Sequence, residues 1–98
     1  EDLYYSRIFN MVSLPQGQIL IKKFDFPKSD YNVAITNGID DIVKFETKVK
    51  SNKILLESYC WEVASTKKIF DKNYKSNPEE IRKLAHNFSE DIYFSLYF

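Results

Sequence analysis

Between residues 42 and 75 the side chains change face at almost every step, and this alternation limits the chain to a small set of folds. Val43, Phe45, Thr47 and Val49 alternate with Ile42, Lys44, Glu46, Lys48 and Lys50. A period of two with one charged face predicts a half-buried strand over 42–50, because successive strand side chains point to opposite faces. Ser51-Asn52 is a two-residue link, the length that favours a tight hairpin. Residues 53–64 then carry Leu55, Glu57, Tyr59, Trp61 and Val63 on one side and Ile54, Leu56, Ser58, Cys60 and Glu62 on the other. Apolar groups on both sides predict a strand near the middle of the sheet. Ser65-Thr66 turns the chain again and residues 67–75 return, giving an antiparallel meander.

Such a sheet needs a cover on its apolar face, and the next segment has the pattern to supply one. Asn77 is in N-cap position, Pro78 stands at the first helical position, and Glu80 completes a capping-box spacing. Glu79 and Glu80 complement the positive end of the helix dipole. Ile81, Leu84, Ala85, Phe88, Ile92 and Leu96 recur at steps of three and four, so one stripe faces the sheet while Arg82, Lys83, Glu90 and Asp91 lie off it.

The first half is less regular. Residues 1–8 read as the tail of a helix, and 9–14 as a short strand ended by Pro15 and Gly17. Residues 19–26 read as a strand ended by Pro27, with Leu20, Lys22, Phe24 and Phe26 on its more apolar face. Ser29 or Asp30 is the expected N-cap of a short helix running through Ala34 to Asn37 and stopped by Gly38, with Val33, Ala34 and Ile35 toward the core. The expected fold class is α/β of the α+β kind: a mixed sheet with a C-terminal antiparallel meander, flanked by helices.

Ninety-eight residues make one domain, 1–98, and 44% hydrophobic with 16% aromatic content is enough for a core. The chain opens on Glu1-Asp-Leu and reads as a processed or excised piece of a longer protein. Fourteen basic residues balance fourteen acidic ones, so no global field draws in nucleic acid or anionic lipid. No run approaches the ~18 apolar residues of a membrane span, so no membrane insertion is expected.

Chemistry-bearing residues are isolated. His86 is the single histidine and Cys60 the single cysteine, so neither a catalytic pair nor a metal-ligand set is spelled out. Neither glycine lies in a phosphate-cradling loop. Asp40-Asp41 is read as a solvated pair, and Lys44, Lys48, Lys50 and Lys53, interrupted by Glu46 and Glu57, as a solvated sheet face. The sequon Asn87-Phe88-Ser89 falls inside the expected helix and is read as chance. No catalytic, metal or cofactor site is therefore expected. The last helix ends differently: Tyr93, Phe94, Leu96, Tyr97 and Phe98 surround it with apolar surface, more than one sheet can cover. Phe94, Tyr97 and Phe98 are the candidate interface, with Tyr4 and Tyr5 a second place where aromatic side chains gather.

Four stretches resemble the TolB N-terminal domain family. Asp2-Leu3-Tyr-Tyr-Ser6-Arg-Ile-Phe9 is similar to the family's D-L-x-x-S-G-x-F, with Arg7 for its usual Gly. Gly38-Ile39-Asp40 before Ile42 and Val43 is similar to its G-[AI]-D lead into the meander. Trp61-Glu-Val-Ala-Ser-Thr66 resembles its W-D-V-x-x-G turn, and Arg82, Ala85, His86, Ser89, Glu90, Ile92, Tyr93 and Leu96 its R-x-x-A-H-x-x-A-D-x-I-Y-x-x-L helix. The resemblance implies an anticodon-binding-domain-like sheet and helices, a periplasmic location and a place before a six-bladed propeller. It implies a non-enzymatic interaction module joining the inner-membrane protein TolA to peptidoglycan-associated lipoprotein, in support of outer-membrane integrity and cell division. The family's first strand and its propeller have no counterpart here, and the first strand's place is open to residues 19–26 or to another molecule. Because the implied fold also occurs in anticodon-binding domains, a nucleic-acid-binding module is the alternative, which charge neutrality disfavours.

Overall fold

The computed structural model describes residues 3–12, 14, 18–25 and 28–97. Its elements are α1 (Leu3–Met11), β1 (Ile19–Lys23), α2 (Ser29–Thr36), β2 (Asp41–Lys50), β3 (Lys53–Glu62), β4 (Lys68–Ser76), a 3-10 turn (Pro78–Glu80) and α3 (Ile81–Tyr97). The strands form one sheet in the order β1-β2-β3-β4, β1 parallel to β2 and the other pairs antiparallel. This is the mixed sheet with a C-terminal meander that the alternation predicts. Ser51 and Asn52 both have positive φ, 51° and 63°, the backbone of a type I′ turn whose twist matches that of the flanking strands.

One face of the sheet is covered by α1 and α3. The cluster there joins Val43, Phe45, Ile54, Leu56 and Cys60 to Ile8 of α1 and to Ile81, Leu84, Ala85, Phe88 and Ile92 of α3, so the helical stripe lies where its spacing places it. Phe45 stacks on Tyr5 at 4.4 Å between ring centroids and meets Phe88 edge-on at 5.1 Å, and Phe88 meets Tyr74 at 5.8 Å. Lys72 Nζ and Tyr74 Oη each donate to Asp91 Oδ2 at 2.6 Å, pinning β4 to α3. On the opposite face α2 packs Ala34 over Ile42 and Val63, with Leu20, Tyr31 and Ile39 around them.

Several local expectations change. Phe9 to Met11 belong to α1 rather than to a strand. Tyr4 and Tyr5, Ile8, and Met11 and Val12 all reach the main core, and that is a helical step, not a strand's. Pro15, Gly17, Phe26 and Pro27 lie outside the described residues. β1 divides its apolar groups, with Ile19 and Ile21 toward the main core and Leu20 toward the smaller one. In α2 only Asp30 and Ala34 are buried, while Val33 and Ile35 are exposed. A two-turn helix offers the sheet one i, i+4 pair, and Asp30 holds one of the two places. Lys28, not Ser29 or Asp30, occupies the N-cap position, without a side-chain cap. The stop at Gly38 is as expected: at φ 69° it lets Gly38 N–H reach Ile35 O and Ile39 N–H reach Ala34 O, the two bonds of a Schellman motif. Asn77 caps with its backbone, Glu80 N–H bonding its carbonyl at 3.0 Å, because its side-chain oxygen accepts from Lys53 Nζ.

The expectation of a solvated lysine face fails at Lys44, which is buried. Its ammonium donates to Asp30 Oδ2 and Asp25 Oδ1, both at 2.7 Å, and to the Asp25 carbonyl at 3.1 Å, while Lys22 Nζ bonds Asp30 Oδ1 at 2.7 Å. The network ties α2 to β1 and β2. Burial alone would raise the Asp30 pKa, but hydrogen bonds and charge from Lys22 and Lys44 hold it below its ordinary 3.8. Burial likewise works against the Lys44 ammonium, and Asp25 and Asp30 carry its pKa above 10.5.

Two expectations follow for stability. Phe88→Ala should cost about 3–5 kcal/mol, whereas His86→Ala, whose side chain is 72% exposed, should cost well under ~1 kcal/mol; paired urea melts check this. Asp30, with its lowered pKa, stabilises the fold above pH 3.8 and loses that contribution as pH falls through its folded value. Asp30→Asn should therefore be less stable at pH 7, by up to about 3 kcal/mol. Its deficit should shrink below pH 3.8, as read by melts across that range.

Candidate functional site

Most isolated chemistry-bearing residues are structurally accounted for. Cys60 is fully buried on β3, and burial, then the charge of Asp41, pushes its thiol pKa up to about 12, so it stays protonated and unreactive. His86 lies on the outer face of α3 with Nε2 3.2 Å from Glu90 Oε2. Phe88 of the sequon is buried and Ser89 Oγ donates to the Ala85 carbonyl at 2.9 Å, so the sequon lies within a packed helix. Lys48 pairs with Glu46 and Glu57 on the sheet surface. Tyr5 belongs to the core through its stacking on Phe45. Among the described residues no group of three or more His, Cys, Asp or Glu is placed to hold a metal ion. Among the described residues no helix is long and apolar enough to cross a membrane.

What remains lies at the C-terminal end of α3. Phe94 is 51% and Tyr97 40% exposed, and Tyr93 touches both, at ring-centroid distances of 6.1 and 5.1 Å. These rings stand off the stripe of Phe88, Ile92 and Leu96 that packs on the main core. Tyr97 Oη donates to Gln18 Oε1 at 3.5 Å. Phe98 lies outside the described residues.

Beside these rings, at the same end of the sheet, is a groove of about 600 Å³. Ile35 and Ile39 from the end of α2, Val63 after β3, Ile69 of β4 and Leu96 of α3 give it apolar walls, and Asp40, Asp41 and Glu62 give it an acidic rim. The sheet register sets Asp41 directly opposite Glu62, and like charges in that position repel. Burial raises the Asp41 pKa above 3.8, and the neighbouring charges of Asp40 and Glu62 raise it further. Burial, then the charges of Asp41 and Asp40, also raises that of Tyr97. Reading Asp40-Asp41 as a solvated pair misses this cluster, because Glu62 is twenty-odd residues away in sequence and joins it only through the hairpin register.

A four-stranded mixed sheet with helices on its faces defines the class: an α+β domain, here with an exposed aromatic helix end beside an acidic groove. No protein-family model matches the chain. The Tol-Pal system protein TolB of Geobacter metallireducens is 36% identical over 55 residues, which are 56% of this chain and 13% of that protein. The crystal structure of TolB from Acinetobacter baumannii superimposes with a TM-score of 0.68 at 17% identity, covering 99% of this chain and 26% of the TolB chain. The chain thus has the fold of a TolB N-terminal domain throughout and a TolB-like sequence over those 55 residues, and it spans a minor part of either relative.

Because Asp41 has a raised pKa, its ionised form works against the fold, and the repulsion is lost when pH falls through its folded value. Asp41→Asn should therefore stabilise the domain at pH 7 by about 0.2–1 kcal/mol. The gain should disappear below pH 3.8, where both states of the wild type are protonated; thermal melts at the two pH values read it.

Proposed function

We propose that the chain is a non-enzymatic, periplasmic protein-interaction domain of a TolB-like component of the Tol–Pal system. In this reading it acts beside a downstream propeller and supports outer-membrane integrity and cell division. Its partners are a TolA-like inner-membrane protein and peptidoglycan-associated lipoprotein, and Phe94, Tyr97 and Phe98 are the contact surface at the domain boundary. The observation that carries the reading is the agreement of two independent likenesses to one protein, local in sequence and whole-chain in fold. Exposed rings on the last helix give a surface of the right chemistry, since burying them removes apolar area from water at about 25 cal/mol per Å².

Fluorescence titration of the chain with the TolA-like periplasmic domain and with the lipoprotein tests the reading. Saturable binding to at least one is expected, and binding to neither counts against it. Wild-type protein should also self-associate in sedimentation velocity, through the Phe94 and Tyr97 rings, more than Phe94→Ser/Tyr97→Ser. If wild type and variant are both strictly monomeric, the rings are not a docking surface. A mobility shift with generic RNA checks the alternative, and none is expected from a neutral chain.

A further inference from the structure

The groove between α2, the sheet end and α3 has walls and a rim that ask for different things. Ile35 is 65% and Ile69 42% exposed, far more than most isoleucines of the fold, and Leu96 closes the groove from the helix side. The charged groups of the rim are all acidic: no lysine or arginine is among the described residues that line the groove. Of the other described carboxylates, Asp25, Asp30, Glu46, Glu57, Asp71 and Asp91 each meet a lysine and Glu90 meets His86, which leaves Glu79 and Glu80 at the start of the last helix, where the helix dipole favours acidic groups. Among the described residues Asp40, Asp41 and Glu62 meet none. The Glu62 carboxylate accepts from Ser65 Oγ at 2.6 Å, a neutral donor that leaves its charge in place. Two of the three face each other across a strand pair, where their repulsion opposes folding, and a cation placed between them would relieve it.

We propose that this groove is a docking site for a peptide segment of a partner protein in which an apolar side chain stands next to lysine or arginine. The apolar group lies against Ile35, Ile69 and Leu96, and the basic group sits at Asp41 and Glu62 with Asp40 beside it. The occupant is a peptide rather than a simple cation because the walls are apolar, and it is basic because the rim has one sign of charge. An acidic segment or a polyanion is repelled at the same place. Leu96 lines the groove and Tyr97 follows it on α3, so a peptide seated there would continue onto the exposed aromatic surface. The proposal rests on the reading of the chain as an interaction domain, yet depends on residues other than Phe94.

The test is a titration of isotope-labelled protein by NMR with a blocked Lys-Leu-Arg-Leu-Lys peptide, beside Glu-Leu-Glu-Leu-Glu and spermidine. Expected are shift changes at Asp40, Asp41, Val63, Ile69 and Leu96 with the basic peptide, weaker binding as salt rises, and no comparable response to the acidic peptide. Asp41→Asn/Glu62→Gln should weaken the basic peptide roughly tenfold. That variant removes a repulsion and should remain folded, as its own spectrum shows. Ile69→Ser should weaken the peptide while leaving spermidine unaffected. No groove response, equal binding of the acidic peptide, spermidine binding as tightly as the peptide, or indifference to the double substitution would each overturn the proposal. So would a dimer that Ile69→Ser dissolves, which would make a second copy the occupant. Peptide failure with intact binding of a Tol–Pal partner removes this proposal alone. Peptide binding without either partner removes the broader reading and leaves the groove.

Discussion

The fold depends on what one side chain touches. Phe45, fully buried on β2, has Tyr5 of α1 stacked on it and Phe88 of α3 set edge-on against it, and Phe88 continues the contact to Tyr74 of β4. Both helices on that face and both outer strands of the meander are thus referred to one aromatic column. Aromatic pairs in these geometries contribute roughly 0.5–1.5 kcal/mol beyond the area they bury. Their directionality also fixes how each helix is rotated on the sheet. With Phe88 turned inward, Ile81, Leu84, Ala85 and Ile92 follow by helical spacing, and Phe94 and Tyr97 must point elsewhere. The exposure of the aromatic end is in this sense a consequence of the core.

The preceding residue on the same strand serves the other face by opposite means. Lys44 is as hidden as its neighbours but is held by Asp25 and Asp30, with Lys22 closing the group. A buried ion pair adds little net stability compared with an apolar replacement, because desolvation offsets much of the attraction. What it does here is discriminate. Asp30 can approach the sheet only where both lysines reach it, so α2 has one place to sit. That position aims Ile35 away from the core and toward the groove, and it brings the Schellman turn at Gly38 to the start of β2, where Asp40 and Asp41 stand.

How much of this could be read in advance follows the distinction between local and non-local physics. The meander, its two-residue turn, the stop at Gly38 and the stripe of α3 were legible because each is written in nearby residues. The helical nature of Phe9 to Met11 was not, since a segment this short has too few turns to show a period. Lys44 read as solvated because alternation reports which face a residue takes, not whether a second layer covers that face. Cover came from α2, whose inward pair includes a charged residue, and no hydrophobic pattern announces that. The exposure of Phe94 and Tyr97 was legible as an excess of apolar groups around a helix. The groove beside them was invisible, because its three carboxylates come from two strands and the loop before β2, and its apolar walls from four separate places in the chain.

The acidic rim in turn depends on a feature at the far end of the sheet. Asp41 faces Glu62 only because Lys50 pairs with Lys53 across the Ser51-Asn52 turn, and the register runs unbroken along the ten residues of β2. A two-residue turn with positive φ at both positions permits no slippage. One residue more in that turn would shift the partner of Asp41 by a step and send Glu62 to the opposite face relative to it. The same slip would take Phe45 off the face it shares with Ile54, Leu56 and Cys60. The core that holds the helices and the charge cluster at the groove are therefore set by a single pairing, and selection for either one preserves the other.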